Sequence, residues 1–336
     1  MKIALLTPTF SQFSGIDRVV ELDSEEYINQ GHEVTIFTLS ASIKPKRAKI
    51  VVMGMPKNPT VERIYRLFFF FDLFKINKYS KMLKNYDQTI AYFYPMTWLG
   101  SRAKKIYGIK YTYWNAGIAY SKLFEKITEK IYLKLLLFFL KISIKNADSA
   151  ISISKFMQTE LKKETGLDSF VKYIDIDKKR FHQGINGDKI RKKYNIDNQE
   201  SVFLYVGRIS PHKSIDLLIK AFKLSQDKLK KSKLIIVGKP TFIEYMRKLK
   251  LLANKDVIFA GFVNDQELPE YYAACDIYTT TSQWEGYDMP IVEAQACGKK
   301  AIAFNCCSHP EVLKNGTLVK NGNLKEYAKA MVDLSK

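Results

Sequence analysis

Short unbroken apolar runs alternate along the chain with longer stretches in which apolar residues return every three or four positions. The first run, Lys2–Thr7, predicts a strand buried on both faces. Asp17–Asn29 has helical spacing, Gly31-His32 ends it, and Glu33–Thr38 is the next strand. Further strands are expected near 50–53, 88–93, 110–114 and 149–153, with helices near 61–84, 98–107 and 120–146. Such alternation implies an α/β doubly wound sheet. A second series opens with Ser201–Val206 and the helical spacing of Ile215, Leu218, Ile219 and Phe222. It continues with strands at Leu234–Gly238, Val257–Val263, Ile277–Thr281, Phe304–Pro310 and Gly316–Val319, and a helix at Leu268–Asp276. The polar stretch 178–190, with Gly184 and Gly187, reads as a linker. Two domains are therefore expected, 1–185 and 186–336, with the last helix free to pack back on the first.

One stretch concentrates chemistry. Residues 284–298 read WEGYDMPIVEAQACG, with Glu285 and Glu293 eight positions apart. Pro290 suits a first helical position, and Gly298 stops the helix after Ala296. The first-turn N–H groups would point back at Gly286–Met289, a site for an anion. Glu285 then lies before the helix and Glu293 one turn inside it. Alone, two such acids read as solvated surface. A second stretch, Gly207-Arg208-Ile209-Ser210-Pro211-His212-Lys213, joins a strand to a helix start. Arg208 can grip two phosphate oxygens and Lys213 adds a point charge; either alone reads as a solvated cation. Ser14-Gly15 lies at the carboxyl end of the first strand, where open α/β sheets bind ligands, although a helix-capping turn reads equally well.

Together these strings carry a resemblance. EGYDMPIVEAQACG resembles the EX7E signature of retaining glycosyltransferases of family 4, the group 1 transferases with the GT-B fold. The family's usual form has Gly where this chain has Asp288. GRISPHK resembles the family's diphosphate motif, GIDRVVEL with GHEVTIF its start, and ADSAISISK the last strand of its first domain. The resemblance implies two Rossmann-like domains facing across a cleft, and transfer of a sugar from a nucleotide diphosphate sugar to a hydroxyl acceptor, either lipid-linked or a glycan. It makes Arg208, Lys213 and Glu285 catalytic. It puts Gly15, Gly207, Gly238, Phe262, Val263, Tyr287, Asp288, Met289, Pro290 and Glu293 at the donor. It puts Asp17, Trp114 and Asn115 on the acceptor side, the last two nearest to where the family often has a histidine. Ser14 stands where a second glycine is common, and Lys239 where the family has an acid. No cofactor is implied beyond the nucleotide sugar as co-substrate. No metal is expected either, and Asp175-Ile176-Asp177 falls in place of a family loop.

Charge leaves a second question open. The formal net charge is +20, with 17 Lys/Arg against 6 Asp/Glu in residues 51–150. Such an excess attracts phosphates of some kind. Residues 63–84 and 122–145 mix lysines with apolar runs. They read either as core faces with solvated basic sides or as a surface that lies on an anionic membrane. The other class of function is a basic protein that binds nucleic acid or lipid on this scaffold without catalysis. Arg208, Lys213, Glu285 and Glu293 argue against it, and no nucleic-acid partner is expected. Cys275, Cys297, Cys306 and Cys307 have no metal-ligand spacing and fit a reduced compartment. No signal-like or bilayer-spanning run is seen, so the expected location is cytoplasmic, peripheral on the inner membrane face.

Overall fold

The computed structural model describes residues 1–11, 15–122, 124 and 126–336. The chain forms two compact units, Met1–Asp175 and Ile176–Lys336. The first contains strands β1 (Lys2–Phe10), β2 (Glu33–Ala41), β3 (Lys49–Val52), β4 (Gln88–Ala91), β5 (Lys110–Asn115), β6 (Ser149–Ser152) and β7 (Phe170–Val171). Its helices are α1 (Gly15–Asn29), α2 (Pro59–Leu67), α3 (Leu73–Leu83), α4 (Thr97–Tyr107), α5 (Ile127–Ile144) and α6 (Lys155–Thr165). The sheet runs β3-β2-β1-β4-β5-β6-β7, every pair parallel. Ile3, Ala4, Leu5 and Leu6 of β1 are all buried, as a central strand covered on both faces requires.

The helix expected near 61–84 is two helices. Phe69 turns into the core beside Ile76, Leu83 and Met96, and residues Phe69–Phe71 form a single 3₁₀ turn. The Asp72 carboxylate then accepts the Lys75 N–H at 3.0 Å and starts α3 afresh. Apolar spacing runs through this break, because Tyr65 of α2 and Ile76, Tyr79 and Leu83 of α3 pack on one core.

The second unit holds helix α7 (Asp188–Lys193) and strands β8 (Ser201–Val206), β9 (Ser232–Val237), β10 (Val257–Gly261), β11 (Ile277–Thr280), β12 (Lys300–Phe304) and β13 (Gly316–Val319). Around them lie α8 (Ile215–Ser225), α9 (Ile243–Leu252), α10 (Leu268–Ala274), α11 (Met289–Ala296), α12 (His309–Val312) and α13 (Leu324–Leu334). The sheet order is β10-β9-β8-β11-β12-β13, again all parallel. Strand order reverses between β8 and β11, so the chain after these two strands diverges and leaves a crevice at their carboxyl ends.

Three expectations shift. The unit boundary falls ten residues before 186, because Phe181 is buried in the second unit's core with Ile176 and Ile185 packed beside it. The strand expected at Phe304–Pro310 is Lys300–Phe304, and its carboxyl end leads into a turn. The last helix stays with its own unit. It packs on α8, and the Tyr327 hydroxyl sits 3.0 Å from the Thr280 carbonyl and 2.8 Å from that of Ile302.

Candidate active site

The functional candidates of the second unit gather where the sheet order reverses. Beyond β8 the chain passes Gly207 and Arg208 to a short 3₁₀ turn, Pro211–Lys213, and enters α8. Gly207 and Gly238, at the ends of neighbouring strands, have φ of +155° and +153°. A Cβ on Gly238 would lie 1.8 Å from the Gly207 carbonyl oxygen. Only glycine fits there, and the close approach sets the path of the Arg208 loop.

Beyond β11 the chain carries Glu285. Its Oε1 takes the Lys213 ammonium, and both side chains are largely covered, at 13% and 14% exposure. Thr281 fixes the other side of this contact, donating to the Ser214 carbonyl at 2.8 Å. Arg208 is exposed, and its guanidinium has no hydrogen bond or ion pair among the described residues. His212 lies between the two cations. Burial, with Lys213 beside it, pushes it down to about 3, so the ring is neutral at physiological pH. The loop thus offers one free guanidinium and one ammonium shared with a carboxylate.

Helix α11 opens differently from the expected cradle. The Met289 N–H goes to the Tyr287 carbonyl at 2.9 Å, Pro290 has none, and the Ile291 N–H goes to the Asp288 carbonyl at 3.1 Å. What remains for an anion is the dipole rather than a row of open donors. Gly298 ends the helix with φ +78°, as a stop glycine should. Glu293 is 1% exposed, and its Oε2 accepts the Tyr272 hydroxyl at 2.7 Å. Asp288, also buried, does not cap the helix; its Oδ2 lies 3.3 Å from His309 Nε2. Tyr287 packs against the core, Val263 is buried, and Phe262 is half exposed at the end of β10. Among the described residues no cluster of three or more metal-ligating side chains occurs, and Asp177 accepts the Lys179 N–H in a local turn.

In the first unit Asp17 is buried beside the end of β1. Ser11 donates to it from N–H and hydroxyl, each at 2.8 Å, and Thr9 adds a longer contact. Burial outweighs these donors and raises its carboxyl to about 6. Gly15 begins α1 with open space where a Cβ would stand. Ser14 lies outside the described residues. Trp114 and Asn115 belong to the core. Trp114 stacks on Tyr92, and the Asn115 amide donates to Ser152 Oγ at 3.1 Å and the Met157 carbonyl at 3.0 Å. Both side chains are buried, at 1% and 0% exposure.

Residues 186–336 match the glycosyl transferases group 1, and residues 13–174 match Glycosyltransferase Family 4. The chain belongs to the group 1 glycosyltransferases. A lipopolysaccharide 1,2-N-acetylglucosaminetransferase of Salmonella typhimurium is 36% identical over 126 residues, covering 34% of this chain and 33% of that protein. The chain spans 33–41% of the length of the first curated relatives it matches. The Anabaena protein HepE, solved with UDP and glucose, is 21% identical with a TM-score of 0.80, covering 99% of this chain and 89% of that one. WaaG, a glycosyltransferase involved in lipopolysaccharide biosynthesis, gives 16% identity and a TM-score of 0.74, covering 99% and 90%. At these identities the likeness is one of fold, and the fold of this group 1 member is GT-B.

Three site residues escaped sequence reasoning: Thr281, Tyr272 and His309. The first two carry no signal beyond lying in expected elements. His309, directly before a proline in a turn after a strand, belongs to no motif that would mark it.

Proposed function

We propose that the chain is a retaining glycosyltransferase, moving a sugar from a nucleoside diphosphate sugar to a hydroxyl of a glycan or lipid-linked acceptor without a metal. The observation that carries this reading is the Lys213–Glu285 contact. It joins residues 72 positions apart at the carboxyl edge of β8 and β11, beside an unpaired Arg208. In a transfer reaction negative charge grows on the leaving diphosphate. A guanidinium and an ammonium brought to the diphosphate stabilise that charge in a partly dehydrated site more than they do in water. Glu285 is then held by Lys213 at the sugar end, where it can accept a donor hydroxyl. Glu293, deeper and tied to Tyr272, suits the nucleoside end.

Uridine diphosphate sugars are the first donors to try, because HepE, of like fold, was solved with UDP and glucose. Guanosine diphosphate sugars are the second. A glycan or lipid-linked acceptor agrees with relatives named for lipopolysaccharide synthesis. It also agrees with an apolar, basic face on the first unit. There Phe71 and Phe74 are 72% and 80% exposed, and Phe138 and Ile131 of α5 are more than half exposed. Phe68 and Phe70 pack on Phe139, which joins the two parts of the patch. Among the described residues no helix is long and apolar enough to cross a membrane, so the reading is surface docking.

The test is an assay of the purified chain with UDP- and GDP-sugars, each with and without excess chelator, followed by the anomeric form of the product. Transfer or slow donor hydrolysis that survives the chelator, with retained configuration, supports the reading. An inverted product removes retention, and loss of activity restored by manganese removes metal independence. No turnover and no binding of either diphosphate removes the transferase reading altogether.

A further inference from the structure

Asp288 stands where the family pattern usually has glycine, and it is only 3% exposed. A buried carboxylate needs a counter-charge. Lys213 is committed to Glu285, and Arg208 is exposed with no partner among the described residues. The group that faces Asp288 is His309, the first residue of α12, with 0% exposure. Its Nδ1 lies 2.8 Å from the Phe304 carbonyl, and a carbonyl only accepts, so Nδ1 carries hydrogen. Its Nε2 lies 3.3 Å from Asp288 Oδ2, an ion-pair distance, although the angle makes no hydrogen bond. A neutral ring would aim the Nε2 lone pair at a carboxylate in a site without bulk water. Only the imidazolium gives both contacts a hydrogen.

We propose that His309 is a positioning residue of the sugar-donor site, a buried imidazolium that neutralises Asp288 and ties the turn after β12 to the loop carrying Glu285. This rests on the donor reading of that loop given above. Without the cation, an unpaired negative charge sits beside Glu285, where a diphosphate must bind, and like charges repel. Donor affinity is thereby linked to a proton held by His309.

The groups that face the pair can be named. Asp288 and Glu285 come from the loop between β11 and α11. Cys306, with Sγ 4.0 Å from His309 Nδ1, and Cys307 come from the turn after β12. Tyr205 of β8, Tyr278 of β11 and Tyr327 of α13 lie in the field of Asp288, and burial first of all keeps their hydroxyls protonated. For His309 burial works against the charge, but Asp288, with Glu285 and the Phe304 carbonyl, outweighs it and lifts the ring above the ordinary histidine value. Cys307 is the other group to control, because its neighbour Cys306 lowers its thiol below the ordinary value.

Two measurements on the full chain decide the matter. The sequence has four histidines, so imidazole nitrogen NMR can resolve His309 by comparison with a His309→Gln sample. In the wild type the ring is doubly protonated at pH 7, and in Asp288→Asn it reverts to a neutral tautomer; a neutral ring in the wild type overturns the proposal. The second measurement is calorimetric titration of UDP and GDP between pH 7 and pH 9, above the phosphate's own titration. Wild-type affinity for the preferred diphosphate falls about tenfold or more as His309 loses its proton, the scale of one unpaired buried charge. His309→Gln binds weakly throughout. Asp288→Asn/His309→Gln binds more tightly than His309→Gln and loses the pH dependence, because no charge is left to neutralise. Cys307→Ser keeps it. A His309→Gln variant that binds as the wild type does, or a double variant as weak as the single, overturns the charge role. If the wild type binds neither diphosphate, the donor reading fails, and the NMR result still reports the state of the His309–Asp288 pair.

Discussion

Arg208 and Lys213 sit on one loop in different states, and their variants should differ accordingly. Arg208 is exposed and unpaired, so Arg208→Ala should lower turnover about a hundredfold or more while leaving the melting temperature nearly unchanged. Lys213→Ala should lose as much turnover and also leave Glu285, only 13% exposed, without its partner. Steady-state kinetics paired with thermal melts separate the two, and near-normal turnover in both variants removes the clamp from the mechanism. Asp17 makes a pH prediction. Its carboxyl is raised from 3.8 to about 6, so the folded chain holds this proton more tightly than the unfolded chain does. Stability from this group is therefore highest in acid and declines as pH rises from about 4 to about 6, by up to about 3 kcal/mol. Asp17→Asn should remove that part of the slope when melting temperature is followed across this range. A slope unchanged by the substitution would show that Asp17 ionises as an ordinary aspartate.

At the scale of elements, the donor loop depends on strands that end in glycine. Gly238→Ala places a methyl against the Gly207 carbonyl at a φ that a side chain rarely takes. Strand β9 must move off β8, and the Arg208 loop moves with it. The expected cost is about 2 kcal/mol or more, seen as a fall of about 4–8 °C in melting temperature, together with weaker diphosphate binding. Wild-type stability in this variant would mean that the strand ends relax freely. The 3₁₀ turn, the start of α3 and helix α5 carry the membrane prediction. Lys75, within the basic stretch 63–84, is held back from a lipid contact: its ammonium is bound to the Gly54 carbonyl at 2.7 Å and the Tyr65 hydroxyl at 2.8 Å. The exposed rings are the better probe. The chain should co-sediment with anionic vesicles at low salt and less so at high salt, where the Debye length shrinks to about 3 Å at 1 M. Phe71→Ser/Phe74→Ser should weaken that binding by removing the most exposed apolar area. Failure of the wild type to bind such vesicles would leave these rings as plain surface.

For the whole molecule, the two sheets share a logic. Each is all parallel, each reverses its strand order once, and in each the candidate residues lie at or after the carboxyl ends of strands. In the second unit these ends bring Arg208, Lys213, Glu285, Asp288 and His309 to one edge. In the first, Asp17 and the end of β1 occupy the matching place, while Trp114 and Asn115 at the end of β5 are packed away.

Apolar runs and their period were enough to place most strands, because a parallel strand covered on both faces must be apolar almost throughout, as Leu5 and Leu204 illustrate. Local chemistry also fixed the stop at Gly298 and the grouping of Glu285 with Glu293, since both depend on neighbours in the chain. Other features depend on residues distant in sequence. The break at Phe68–Asp72 follows from Phe69 entering a core assembled from β1, β2, β4, β5, α3 and α4. The burial of Asn115 under β6 and α6, and of Trp114 against Tyr92, follows from packing between elements. The closing of α11's first turn on its own carbonyls is a matter of backbone path. The facing of Asp288 and His309 arises because β11 and β12 are neighbours in the sheet, so that the donor loop after one meets the turn after the other. Spacing along the chain holds no record of such a meeting; only the packed structure brings the charge and its counter-charge together.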